Sequence, residues 1–190
     1  MNKSKYLLFI PLFIFSACID VQQKQPKNNK KSAGYFSIKD YIKDQWNTYR
    51  GQPFGIIKVV SMNDKVDTVY TNAFDIELGK LMDIFIETDI SDAKYLGQYE
   101  FSNFGDYPTM SVNYFYEAKS PDLYTRRLQI SADDLTKVVK SIYIETEKQT
   151  RLNVIQQKLT YQPTKRISIY ELENSKVGPQ KEVKIDYIFL

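Results

Sequence analysis

Cys18 is the only cysteine in a chain of 190 residues that contains no histidine. A single thiol in that setting has no imidazole to activate it, and the usual general base is missing everywhere else as well. Without histidine or a second cysteine, zinc, copper and iron sites lose their usual ligands. Carboxylates, hydroxyls and amines are the remaining chemistry. Ser91-Asp92-Ala93-Lys94 has the spacing at which a lysine could activate a serine nucleophile; its ordinary alternative is a turn. Glu87, Asp89 and Asp92 could offer oxygen ligands to Ca²⁺, although the glycine and final bidentate glutamate of a calcium loop are absent. Asp133 with Asp134, and Glu145 with Glu147, are the carboxylate pairs that glycoside hydrolysis would need across a cleft. Adjacent charges of this kind otherwise mark turns and wet sheet faces.

The surroundings of Cys18 carry the strongest signal. Lys3 and Lys5 precede the apolar run Leu7–Phe15, and Ser16-Ala17 supply small residues before the cysteine. Such a run is too short to cross about 30 Å of hydrocarbon and has the order of a secretory signal. The cysteine at its end resembles the lipobox of bacterial lipoproteins, with Phe15 standing where Leu, Val or Ile is usual. The resemblance implies a diacylglyceryl group on the Cys18 thiol, cleavage before it, and acylation of the new amine. Three acyl chains make such an anchor effectively permanent. Residues 1–17 are then a signal peptide, 18–34 a lipidated cysteine with a disordered basic tether, and 35–190 one globular domain. By the same resemblance, Ile19 after the cysteine implies sorting to the outer membrane, facing the periplasm, with the cell surface as the alternative.

The tether accounts for the basic charge. The chain has 26 Lys and Arg against 23 Asp and Glu, a net of +3. Lys3, Lys5, Lys24, Lys27, Lys30 and Lys31 precede residue 35, as does Asp20. Removing these six cations and one anion leaves 20 basic and 22 acidic residues, a net of −2. Nucleic-acid binding, which needs a basic patch on the folded part, is not expected. The tether lysines could touch anionic headgroups, and are otherwise a solvated spacer.

A first helix is expected from the Ser37 and Asp40 capping box, with Phe36 stapled onto Tyr41 and Ile38, Ile42 and Trp46 at helical spacing. A hairpin around Asn63-Asp64 joins 54–62 to 66–71. A second helix is expected from a cap at Asn72 and Asp75, with Phe74, Leu78, Leu81, Met82, Phe85 and Ile86 as its apolar stripe. From Leu96 onward the period becomes two, with strands expected at 99–104, 110–118, 123–131, 136–147, 151–161, 166–173 and 182–190. Met110, Val112, Tyr114 and Tyr116 share one face; Val183, Ile185, Tyr187 and Phe189 share another, opposite Lys184 and Asp186. The expected class is α+β: two N-terminal amphipathic helices packed on a curved antiparallel meander, open or half-barrel.

Tyr35-Phe36…Tyr41, Glu77-Leu78…Phe85-Ile86-Glu87-Thr88-Asp89-Ile90 and Gly97-Gln98-Tyr99 resemble a group of small lipoproteins of Bacteroidota-type Gram-negative bacteria that carry no known activity. Asp67-Thr68-Val69 resembles a short O-glycan acceptor of exported proteins of that type. Tyr99, Tyr114, Tyr116, Tyr124, Tyr143, Tyr161, Tyr170 and Tyr187 fall in the strand segments, as core pairs or as a binding face. The expected function is a non-enzymatic, membrane-anchored binding domain for a lipid or other hydrophobic ligand. The alternative is an adaptor that docks another envelope protein. No catalytic residue, metal or cofactor is expected.

Overall fold

Residues 34–63, 65–74 and 76–190 are described by the structure, a computed structural model. They belong to the compact unit Ala33–Leu190. Cys18, the tether lysines, Asp64 and Asp75 lie outside the described residues.

Ser37 starts helix α1 (Ile38–Tyr49): its hydroxyl accepts from the Asp40 amide at 3.0 Å, answering one of the orphan amides of a helix start. Phe36 packs on Tyr41 with ring centroids 5.7 Å apart. The Arg50 amide closes on the Trp46 carbonyl, and Gly51 follows at a positive φ of 82°, the left-handed exit that glycine permits.

Strands β1 (Gly55–Met62) and β2 (Lys65–Asn72) form the expected hairpin. Helix α2 (Leu78–Ile86) begins later than its pattern suggests. Asn72 instead closes a turn, its side chain accepting from the Phe74 amide at 2.8 Å. Such a local bond competes with helix capping. Phe74 is therefore outside the helix and exposed, while Leu78, Leu81, Met82 and Phe85 are buried.

Seven strands follow: β3 (Tyr99–Asp106), β4 (Ser111–Ala118), β5 (Thr125–Asp133), β6 (Val139–Gln149), β7 (Asn153–Gln162), β8 (Arg166–Ser175) and β9 (Lys181–Phe189). Each pairs antiparallel with the next. The hairpin β1–β2 then joins the far side through β1 and β9. The result is one nine-stranded sheet in the order β2-β1-β9-β8-β7-β6-β5-β4-β3.

This corrects the expected α+β class. The fold is all-β and sheet-dominated, with two short helices of 12 and 9 residues. Only α1 precedes the sheet; α2 lies between β2 and β3. Two helical stripes of that length supply too little apolar surface to define a layer against nine strands, so they pack as additions to one sheet face.

That face holds the core. Ile130, Ile142, Tyr161, Ile167 and Tyr187 are neighbours in register across β5–β9. Ile38, Ile42, Leu81 and Phe85 join them in one buried cluster. Tyr161 meets Tyr41 and Phe85 edge-on, at 6.2 and 5.8 Å. Each such side chain contributes about 1.5–3 kcal/mol by leaving water. Thr125 donates to the Thr88 carbonyl at 3.0 Å, tying the end of α2 to the sheet. Among the described residues no buried side-chain polar atom lacks a partner.

One stripe shortens: Met110 sits in the β3–β4 turn at φ 46° and is exposed, so Val112, Tyr114 and Tyr116 continue it. Asp186 keeps its expected face, opposite Tyr187, yet is only 6% exposed.

Candidate functional site

Of the carboxylates expected to do chemistry, Glu145 and Glu147 lie on the sheet face opposite the helices. Glu145 and Glu147 point to the same side of β6, beside a surface hollow of about 200 Å³ that also involves Arg126, Gln156, Lys158 and Tyr170. Both acids are already engaged. Gln156, Gln149 and Arg126 all donate to Glu147, at 2.9, 3.0 and 2.8 Å, and these bonds hold its pKa down at about 2. Glu145 accepts from the Tyr143 hydroxyl at 2.7 Å and has Arg127 at 3.7 Å. Burial first, then this bond, pushes Tyr143 up to about 12. A glycosidase needs one carboxyl held protonated; Glu147 is held ionised.

The other candidates perform local structural tasks. Asp133 accepts from Thr136 and Leu135 amides at 2.9 and 3.1 Å and from the Lys140 ammonium at 3.1 Å. The Thr136 amide, then Lys140, lower its pKa. Asp134 pairs separately with Lys137 at 3.0 Å. Ser91 donates to Asp89 at 2.6 Å, not toward Lys94. The Lys94 ammonium lies 4.8 Å over the Tyr95 ring. Asp92 caps the short turn Ala93–Tyr95 through the Lys94 amide. Glu87, Asp89 and Asp92 do not converge, and among the described residues no group of three acidic side chains could hold a metal ion.

Asp186 is the charge that sequence reasoning missed. Burial would raise its pKa, but the Ser168 hydroxyl, Arg166 and Lys184 outweigh it and the pKa is lowered. Arg166 and Lys184 stand at 3.2 and 3.4 Å. Alternation marked Asp186 as facing away from the core; it could not show that neighbours on β8 and β9 would cover it.

The interface between helices and sheet is nearly filled. Its cavity, bounded by Trp46, Tyr49, Phe54, Met82 and Phe189, measures about 20 Å³, room for about one water. An open groove of about 320 Å³ lies between the end of α1 and the start of α2, lined by Trp46, Tyr49, Phe74 and Leu78 with Arg50 and Lys80 at its rim. Lys80 is paired with Glu77 at 2.6 Å. Half of the eight tyrosines expected in strands are core: Tyr99, Tyr116, Tyr161 and Tyr187 are buried, and Tyr114, Tyr124, Tyr143 and Tyr170 are half-buried. Tyr124 precedes β5 instead of lying in it.

Exposed apolar side chains gather at both sheet edges: Met62, Val66, Val69 and Tyr70 along the β1–β2 hairpin, and a more aromatic set along β3 and the turn after it. Phe101, Phe104, Tyr107 and Met110 are 48%, 54%, 90% and 67% exposed. Phe104 stacks on Phe115 at 5.3 Å on one sheet face, and Phe101 approaches Tyr116 at 5.0 Å on the other. The backbone geometry is equally specific. The Lys119 amide donates to the Gln98 carbonyl, so Gln98 faces β4 and Tyr99 faces away. The Tyr35 hydroxyl meets the outward groups of Tyr99: it accepts from the amide and donates to the carbonyl, both at 3.3 Å. Alternation along an antiparallel ladder turns the amides and carbonyls of Phe101, Asn103 and Gly105 outward as well. Among the described residues nothing bonds to them. The opposite edge, β2, presents Thr68 with an exposed side chain, and Lys65 guards one end of it.

No protein-family model, no curated protein and no solved structure matches this chain. Among the described residues no helix is long and apolar enough to cross a membrane.

Proposed function

We propose that the chain is a bacterial lipoprotein, anchored in the cell envelope through an acylated Cys18, whose folded unit is an adaptor that docks another protein. The basic start, short apolar run and Ser16-Ala17-Cys18 support the anchor. The observation that carries the docking reading is the contrast between a helix–sheet interface with about 20 Å³ of free space and the aromatic row exposed along β3. Pockets for small apolar ligands generally enclose about 300–1,000 Å³. A second reading, binding of a hydrophobic ligand, is favoured by the open groove at Trp46 and Phe74.

One comparison separates them. A photo-crosslinking residue is placed at Phe104 and, separately, at Lys158 in cells that make the full chain, and the purified protein is weighed by native mass spectrometry. The docking reading expects a discrete protein adduct from position 104, none from 158, and a bare protein mass. No adduct from either position, with an extra solvent-extractable mass, overturns it in favour of the ligand reading.

A further inference from the structure

We infer that β3 is an acceptor edge: it receives one extended strand from a protein partner, antiparallel, with basic residues at that strand's two ends. This inference rests on the docking reading and adds the partner's conformation and charge.

Phe101, Asn103 and Gly105 present an outward amide and carbonyl each, at the two-residue repeat with which a neighbouring strand bonds. Tyr35 already illustrates the fit: its hydroxyl takes the Tyr99 amide and carbonyl in place of a peptide group. Edges that must stay unpaired are usually blunted by a bulge, a proline or charged side chains, lysine above all. β3 contains no bulge, proline or lysine, its two charges stand near its ends, and its register with β4 is uninterrupted from Tyr99↔Ala118 to Asp106↔Ser111. Its charges have one sign. Glu100 and Asp106 lie near its ends on one sheet face, no Lys or Arg occurs in the strand, and Asp106 accepts from the neutral Thr109 hydroxyl at 2.6 Å, which leaves its charge uncompensated. A complementary strand therefore places cations opposite Glu100 and Asp106, and apolar residues opposite Phe101 and Phe104. Gly105 leaves open space, with no atom within 4 Å of where a Cβ would stand, into which an opposing aromatic ring can lean. Added strands gain affinity from main-chain bonds and specificity from alternate side chains.

The probe is the capped peptide Lys-Tyr-Val-Thr-Thr-Ile-Lys, which sets its lysines opposite Asp106 and Glu100. It is titrated into the full chain, with amide hydrogen exchange as the readout. Binding should slow exchange at Phe101, Asn103 and Gly105 while leaving Glu100, Ser102 and Phe104, which already face β4, unchanged. N-methylation of the peptide's second, fourth and sixth residues should weaken binding at least tenfold; methylation of the third and fifth should not. Asn103→Pro, which removes one outward amide at an edge position that tolerates proline, should lose binding with an unchanged unfolding midpoint. The double substitution Glu100→Lys and Asp106→Lys should reverse the preference toward a peptide with glutamates at its ends. Equal binding of both methylated peptides overturns the inference. Outward amides that are already protected without peptide, in a concentration-dependent dimer, also overturn it, because a second copy is then the occupant. If the peptide fails while crosslinks from Phe104 persist, strand addition is wrong and the docking reading stands.

Discussion

The Tyr35 hydroxyl is bonded to both backbone groups of Tyr99 and also accepts from the Gly97 amide at 2.9 Å. Its ring packs edge-on against Tyr99 and Tyr116 at 5.7 and 5.5 Å. One side chain thus seals the start of a strand that is an edge among the described residues. Tyr35→Phe keeps the ring and removes the bonds. We expect a loss of about 1–2 kcal/mol, the usual cost of stranding partly buried partners, and faster exchange of the Tyr99 amide. An unchanged urea midpoint would show that water replaces the hydroxyl without cost.

Phe74 and Phe85 both belong to the apolar stripe expected for α2, yet only Phe85 is buried. Phe85→Ala should cost about 3–5 kcal/mol, the range for emptying an aromatic core position. Phe74→Ala should stay within about 0.5 kcal/mol, as exposed substitutions do. Urea denaturation of the two variants compares them directly. Similar losses would mean that α2 starts near Asn72 after all.

That pair also shows what the sequence could and could not disclose. The strands from Tyr99 onward were legible because period-two alternation and turn residues are local. α1 was legible because Ser37 caps it locally. The start of α2 is not legible because an Asn side chain can cap a helix or close a turn, and here Asn72 closes a turn onto the Phe74 amide. The fold class is not legible because two helical stripes stand out locally while their small share against nine strands does not; nor does any local pattern report the pairing of β1 with β9, which joins residues more than a hundred positions apart. The same non-local order decides that β3 is an edge, so the exposed backbone of Phe101, Asn103 and Gly105 could not be anticipated. The engaged state of Glu145 and Glu147 likewise depends on Arg126 and Arg127 from β5.

Stability should be flat between about pH 6 and 8 and fall on both sides, for opposite reasons. Glu147 titrates at about 2 in the folded chain against 4.5 when free, and Asp186 is also lowered. The unfolded chain then binds more protons at acid pH, so this stability is complete above about pH 5 and is lost as pH falls. Burial raises Tyr99 and Tyr161, and Tyr143 is pushed up to about 12. Their contribution is complete below pH 10 and is lost as pH rises through the folded values. Urea midpoints at pH 3, 7 and 11 test both limbs. Glu147→Gln should shallow the acid limb alone, and Tyr161→Phe the alkaline limb alone.

Asp186 holds together Ser168, Arg166 and Lys184 on the sheet face opposite Tyr187. Asp186→Asn keeps the shape and removes the charge, leaving two cations without their shared anion. Both cations are about half exposed, so water moderates the penalty, and about 1–3 kcal/mol is expected. Lys184→Ala should cost less than about 1 kcal/mol. If the two variants are equally destabilised, the carboxylate acts only through its pair with Lys184, and the Ser168 bond contributes little.

Gly105 within β3 and Gly97 just before it should respond in opposite directions. Gly97 has φ of 78°, in the left-handed region where a Cβ meets the following carbonyl, so Gly97→Ala should cost about 1–2 kcal/mol. Gly105 lies in β3 with open space where its Cβ would be, and glycine within a strand carries an entropic cost that a β-branched residue avoids. Gly105→Val should therefore stabilise by about 0.5–1 kcal/mol, read as a higher urea midpoint at unchanged slope. It should also fill the space left for an incoming aromatic ring, so the seven-residue peptide should bind more weakly to a more stable protein. Tighter binding by Gly105→Val would place the peptide's tyrosine elsewhere and shift the proposed register.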